Sequence, residues 1–287
     1  MLNDRIAESG GEIAERHPGP WVPRMIDASP EGRAVVEWRQ GDRVLMAKLR
    51  PDGGGAAQLA LLRQLYASGT ATLRVPEPVT WLEASRALVT GAASGTSCRH
   101  ADPLQDDTVF ERIGRALAEF HALPIVPGPA KRLADHIDEL IRPAPRVLAA
   151  ALPQYAARIT HALARLEEES AKWGLVPVVP LHRDFHLRQL FDDGVHITVI
   201  DWDDAASGDP AFDVGYFTAY LKSHLSSEAA AAGIAAFRRG YGGPEALWAR
   251  VPVHERFNAL RRACRRFRLQ DAGWQRELEA MFARLED

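Results

Sequence analysis

Short apolar runs broken by turn residues set the pattern of the first ninety positions. Strands are predicted over 24–28, 34–40 and 43–50, joined by Ser29-Pro30-Glu31-Gly32 and by Gly41-Asp42. Ahead of them Ile6 and Ile13 stand seven apart with Gly10-Gly11 between, a weak and broken helical pattern that reads as a lid or packing segment. Residues 56–67 carry Leu59, Leu62 and Leu65 at helical spacing and stop at Ser68-Gly69. Two more strands are predicted over 75–79 and 87–90, followed by the small, flexible run Gly91-Ala92-Ala93-Ser94-Gly95.

From Thr108 the period changes to that of a helix. Thr108 and Glu111 read as a capping box, and Val109, Ile113, Leu117 and Phe120 keep one face up to Pro124. A break at Pro143 and Pro145 precedes a helix with Tyr155, Ile159, Leu163 and Leu166 on one face. Further helices are predicted over 216–225, 229–241 and 254–285. Strands first and helices afterwards predict an α+β chain, with a small sheet lobe over 1–93 and a larger, mostly helical lobe over 94–287.

Composition narrows the class without changing this picture. At 287 residues, 46% hydrophobic and 25% charged, the chain has the balance of an ordinary globular protein and can bury about three-quarters of its unfolded surface. A formal charge of −3 gives no bulk attraction to nucleic acid or anionic membrane. Two cysteines, no apolar leader and no apolar run near twenty residues predict a cytoplasmic protein that spans no membrane. Only Lys48, Lys131, Lys172 and Lys222 are lysines among 35 basic residues, so a lysine inside the apolar strand Val44-Leu45-Met46-Ala47-Lys48-Leu49 stands out. Such a point charge either reaches phosphates from the strand or turns its head out to water.

The stretch with most chemistry runs from Leu181 to Asp213. His182 is followed by Asp184, then Gln189, then a hairpin signal with Asp192-Asp193-Gly194 at its turn, and Asp201 closes the second apolar run. A hairpin returns the chain to its start, so Asp184, Gln189 and Asp201 are predicted to share one site. Oxygen ligands for Mg²⁺ and a carboxylate that orients an attacking hydroxyl suit phosphoryl transfer from a nucleotide.

His182-x-Asp184 with Gln189, then Ile200-Asp201-Trp202-Asp203 and Gly208-Asp209-Pro210-x-x-Asp213, resembles the aminoglycoside phosphotransferase family, a group similar to choline kinases with a two-lobed protein kinase-like fold. The resemblance implies a small-molecule kinase that moves the γ-phosphate of ATP or GTP to a hydroxyl of an aminoglycoside-like, amino-alcohol or sugar acceptor. It makes Asp184 the catalytic carboxylate and Asp201, Gln189 and Asp203 the Mg²⁺ ligands. Lys48 would hold the α and β phosphates, Gln58 takes the place of the glutamate that pairs with that lysine, and backbone groups near Thr90, Gly91 and Ala92 would meet the base. His182 and Asp213 would brace the loop, and His121 would be a packing histidine.

Three features depart from the family pattern: Gln58 for an acid, Gln189 for an asparagine, and a phosphate loop with Gly32 alone between the first two strands. They motivate a second reading as a catalytically silent nucleotide-binding protein. A third takes His182, Asp184, His186, His196 and Asp201 as ligands of a metallohydrolase. Arg261, Arg262, Arg265, Arg266 and Arg268 suit either an anionic acceptor or internal pairing with acids such as Glu277 and Glu279. Neither the acceptor nor the oligomeric state is legible in the sequence.

Overall fold

A computed structural model describes residues 2–29, 32–270 and 272–286. Pro30 and Glu31 of the predicted turn lie outside these residues. The chain divides into two compact units, Met1–Arg99 with Gln189–Asp203, and His100–Arg188 with Asp204–Asp287.

The first unit is built on a five-stranded antiparallel sheet in the order Val22–Ala28, Ala34–Gln40, Arg43–Leu49, Ala87–Gly91, Pro78–Leu82. Alternate side chains leave opposite faces of a strand, so Ala34, Val36 and Trp38 share a buried face with Leu45, Ala47 and Leu49. Lys48 therefore points to the other face. It pairs in register with Val35 on one side and Leu88 on the other. The last strand starts at Pro78 rather than at Val75, because Pro76 and Pro78 lack ladder donors and proline is tolerated at the start of an edge strand.

Two helices flank this sheet, Leu2–Arg16 and Gly55–Ala67. The first is continuous through Gly10-Gly11, contrary to the broken pattern predicted. A Cβ at Gly10 would stand 2.3 Å from the Trp38 ring, so glycine there is the condition for close packing of helix on sheet. Ser9 and Ile13 are buried on the same helix.

The hairpin of the central motif belongs to this unit. Leu190 pairs with Val199, Phe191 with Thr198 and Asp192 with Ile197. Its turn is held by Asp193, whose Oδ1 accepts the N–H groups of Val195 at 2.9 Å and His196 at 2.6 Å. Leu73–Arg74 pairs parallel with the second hairpin strand and Thr96–Ser97 antiparallel with the first, closing a four-stranded sheet.

The second unit is mostly helical. Thr108–His121, Ala156–Ala171, Ala211–His224, Ser227–Tyr241 and Val251–Leu269 are its long helices, and Trp274–Glu286 ends it. Phe212, Phe257, Leu260 and Phe282 are fully buried in one of its core clusters. Thr108–His121 and Ser227–Tyr241 approach so closely that a Cβ at Gly240 would meet the Glu111 carbonyl at 1.9 Å. The predicted capping box is absent: Thr108 is the first helical residue, and Asp106 accepts its N–H at 3.0 Å. Ala130–Lys131, Ala206–Gly208 and Val179–Leu181 form a small sheet that leads into the loop 182–184. Among the described residues no helix is long and apolar enough to cross a membrane.

Candidate active site

In the first unit the hairpin does what its turn predicts. Ile200 donates its N–H to the Gln189 carbonyl at 3.0 Å, and the Gln189 amide Nε2 donates to Asp201 Oδ2 at 3.1 Å. Asp201 itself has φ 66°, in the left-handed region that few residues other than glycine adopt. Strain of this kind concentrates at functional positions, because surrounding contacts must hold it.

Lys48 completes this group. Its Nζ donates to Asp201 Oδ1 at 2.5 Å and lies 2.7 Å from Asp203 Oδ2. Burial disfavours the ammonium, but the two carboxylates outweigh it and raise its pKa above the ordinary lysine value. Asp203 is tied three ways: Gln58 Nε2 donates to its Oδ1 at 2.5 Å, Arg50 stands 3.2 Å away, and Lys48 takes the other oxygen. Arg50 also donates to the Gln58 amide oxygen. Burial of Asp203 opposes its charge, yet Lys48, Arg50 and Gln58 together hold its carboxyl below the usual range.

Gln58 thus does not replace a lysine partner directly. The carboxylate beside Lys48 is supplied by Asp203, and Gln58 with Arg50 fixes that carboxylate. Arg50 was not singled out in the sequence, although its place two residues past Lys48 on the strand's end was the available signal.

Thr90 and Gly91 end the strand Ala87–Gly91, in register with Met46 and Leu45 beside Lys48. The Gly91 N–H is already taken by the Glu77 carbonyl at 2.8 Å. Ala92 follows the strand without regular structure.

The second unit holds the loop 182–184. Asp213, fully buried, accepts the backbone N–H groups of His182 at 2.7 Å and Arg183 at 2.8 Å. Arg183 adopts φ 67°, and its guanidinium reaches Glu139 at 2.7 Å. His182 Nδ1 accepts the N–H of Asp184 at 3.3 Å. His121 Nε2 lies 3.2 Å from Asp213 and its Nδ1 2.9 Å from the Tyr241 hydroxyl, so this histidine is part of the buried brace. Asp209 is a structural acid of a similar kind, held by Arg250 through two bonds of 2.7 and 2.8 Å.

Asp184 stands among polar side chains of its own unit. Tyr216 donates its hydroxyl to Oδ1 at 2.6 Å, His186 Nε2 lies 3.4 Å from Oδ2, and Arg261 stands 3.6 Å from Oδ1. Burial works against its charge, but His186, Arg261 and Tyr216 outweigh burial and hold the carboxyl well below its ordinary value. Burial first, then Asp184, pushes the Tyr216 phenol far up, so it stays protonated and donates. Tyr216 was not picked out in the sequence as a site residue; its place one turn past Asp213 on the same helix was the signal that pointed to it.

The arginine run separates into different fates. Arg266 pairs with Glu277 at 2.6 Å, as predicted, whereas Glu279 pairs with Arg158 at 2.8 Å. Arg262 approaches His224 at 3.4 Å. The five residues read as ligands of a metallohydrolase form no such cluster: among the described residues no three His, Cys, Asp or Glu side chains converge as a metal site, and His196 pairs with Asp193 at 3.0 Å.

Residues 25–254 match the phosphotransferase enzyme family. The chain belongs to that family. No curated protein matches the sequence. A choline/ethanolamine kinase family protein from Mesorhizobium loti is 18% identical, with a TM-score of 0.64 over 100% of this chain and 94% of that one. A thermostable mutant of aminoglycoside phosphotransferase APH(4)-Ia is 16% identical, with a TM-score of 0.70 over 96% and 98%. Amicoumacin kinase hAmiN, in complex with AMP-PNP, Ca²⁺ and Ami, is 13% identical with a TM-score of 0.70 over 99% and 96%. At these identities the likeness establishes the kinase-like fold, and the family match establishes a phosphotransferase.

Proposed function

We propose that this phosphotransferase is a small-molecule kinase that moves the γ-phosphate of ATP or GTP to an acceptor hydroxyl, dependent on Mg²⁺. The observation that carries the reading is Lys48 Nζ at 2.5 Å from Asp201, with Gln189 on the other oxygen of that carboxylate. A lysine, two carboxylates and an amide gathered at a strained hairpin end are the parts needed to bind a metal–triphosphate.

The donor set fits Mg²⁺. That ion takes hard oxygen ligands, usually one or two carboxylates, with phosphate and water completing its shell. Asp201, Gln189 and Asp203 would hold it, the Gln189 amide presenting oxygen after rotation about its last bond. When bound, the ion neutralises charge on the phosphates.

Lys48 orients the α and β phosphates, and its raised pKa keeps it cationic while it does so. Asp184 accepts a hydrogen bond from the acceptor hydroxyl and aims it. The acceptor oxygen bonds to the γ-phosphorus, and the bond from that phosphorus to the β–γ bridging oxygen breaks. The proton leaves through Asp184 to solvent, and the nucleoside diphosphate departs. A carboxylate of lowered pKa is a weak base, which suits a loose transition state in which positioning outweighs proton removal. Backbone groups of Thr90, Gly91 and Ala92 would meet the base, by carbonyl rather than by the Gly91 N–H.

The silent reading rested on Gln58, Gln189 and the sparse phosphate loop; on the first of these, Asp203 at 2.7 Å from Lys48 supports activity by filling the missing acid's place. The test is the thermal midpoint with ATP and with GTP, each with and without Mg²⁺, on the native chain and on Asp201→Ala. A Mg²⁺-dependent rise lost in Asp201→Ala supports the site and names the donor. No rise with either nucleotide at millimolar concentration overturns it.

A further inference from the structure

The helix Val251–Leu269 presents Arg261, Arg262 and Arg265 to one small hollow beside the catalytic loop. Tyr216, Tyr220 and Asn258 complete its wall, and it encloses about 40 Å³. That volume suits the head of a carboxylate or phosphate rather than a whole metabolite. Arg261 and Arg265 are four apart, so they rise from the same face of the helix.

Arg261 is placed for recognition rather than for a closed salt bridge. Its guanidinium lies over the Tyr216 ring at 5.1 Å, which fixes the plane of the fork. One edge stands 3.6 Å from Asp184, beyond hydrogen-bond reach, and Nη1 is buried without a hydrogen-bond partner. A buried guanidinium donor with no acceptor is costly unless something supplies an oxygen. Arg265 is exposed at the rim and makes no ion pair among the described residues. Asp184 and Asp204 are the acids that act on Arg261, against three guanidiniums around the hollow. His186 and His224 add no negative charge.

We infer that the acceptor of the proposed kinase carries an oxyanion, a carboxylate or a phosphate, which Arg261, Arg262 and Arg265 bind while Asp184 aims its hydroxyl. This rests on the phosphotransfer reading above. Planar forks that offer paired donors recognise carboxylate and phosphate oxygens, whereas a polycationic acceptor would meet three like charges beside the reacting hydroxyl. The transfer itself is the one already written, with the acceptor's anionic group as a handle that takes no part in bond making.

The test uses the full chain with MgATP and matched probes: glycerate and glycerol 3-phosphate against glycerol, gluconate against glucose, and choline and kanamycin as cationic acceptors. ADP release and the midpoint shift are read together, with Arg262→Gln and Arg265→Gln measured beside the native chain. The expected result is at least a tenfold preference for an anionic member over its neutral partner. KM for that anion should rise about tenfold in either variant at low salt, and by less at high salt, where the lost attraction is screened. Preference for glycerate over glycerol 3-phosphate, or the reverse, decides between carboxylate and phosphate. Preference for neutral or cationic probes, an anion response untouched by both variants, or no response to any anion overturns the inference. Those outcomes leave the phosphotransfer reading standing as long as MgATP still raises the midpoint. If MgATP does not raise it while an anion does, and the variants lose that rise, the kinase reading fails and the anion site stands.

Discussion

Gln58 donates to Asp203 across the first unit at 2.5 Å, and Asp203 in turn stands 2.7 Å from Lys48. The lysine's acidic partner therefore comes from the far end of the hairpin, held in place by an amide and by Arg50. Gln58→Glu would keep the acceptor for Arg50 but set a second carboxylate against Asp203. Two carboxylates at that distance must share a proton or separate. We predict a loss of about 1–2 kcal/mol, read as a midpoint lower by roughly 3–6 °C, and a several-fold higher KM for nucleotide. Tighter nucleotide binding in Gln58→Glu would mean that a carboxylate at this position reaches Lys48, contrary to the arrangement described.

Asp213 holds the backbone of the loop 182–184. Its two oxygens take the N–H groups of His182 and Arg183, and Arg183 sits at φ 67°. In Asp213→Asn one of those donors would face an NH₂ group in a fully buried place. Hydrogen bonds to a buried charge contribute about 1.5–3 kcal/mol, so the variant should lose about 3 kcal/mol in urea denaturation. A loss under about 1 kcal/mol would show that the loop keeps its shape by other contacts.

How much of this was legible depended on distance along the chain. Gln189 and Asp201 were placed together correctly because a two-strand hairpin is a local structure, and Asp192-Asp193-Gly194 announces its turn. Lys48 stood out because the chain is poor in lysine and the strand around it apolar. The partners of Asp184 were harder to see. Tyr216 and Arg261 come from two later helices, and the periodicity of a helix says which face is buried, not which side chain on that face meets an acid. The Arg50–Gln58–Asp203 link was hidden for the same reason. Gly10-Gly11 misled in a different way: glycine spoke for a break, while the Trp38 ring it accommodates lies on another element. Thr108 misled because a cap depends on backbone geometry, and Asp106 competes for the same N–H.

His136 gives the chain an acid sensitivity that has nothing to do with the site. It is 2% exposed, stacked on Phe212 with ring centroids 3.9 Å apart, and its Nδ1 has no hydrogen-bond partner. Burial, then the charges of Arg183, His254 and Lys131, lowers its pKa to about 2. The unfolded chain binds this proton below pH 6.5 and the folded chain does not, so stability from this group is complete above about pH 6.5 and declines as pH falls. At pH 5 the loss should reach about 2 kcal/mol. Urea midpoints at pH 7, 6 and 5 should fall more steeply in the native chain than in His136→Gln. Parallel slopes would mean that His136 protonates in the folded state.

In the proposed kinase Asp184 aims the acceptor, and its substitution must be chosen with its neighbours in mind. Asp184→Ala would leave Arg261 and the Tyr216 hydroxyl facing a void, mixing loss of folding with loss of rate. Asp184→Asn keeps the volume and an oxygen for Tyr216 but removes the charge that orients an acceptor proton. A positioned acid–base group contributes about 10²- to 10⁴-fold, so kcat should fall by that range while the MgATP-dependent midpoint shift persists. The pH profile gives a second check. With its carboxyl held well below the ordinary range, Asp184 remains charged down to pH 5, so turnover of the native chain should show no acid limb from this group between pH 8 and 5. An Asp184→Asn enzyme that turns over at the native rate would take the catalytic carboxylate away from this position, whereas an acid limb that vanishes in that variant would mean that Asp184 titrates between pH 8 and 5, contrary to its lowered pKa.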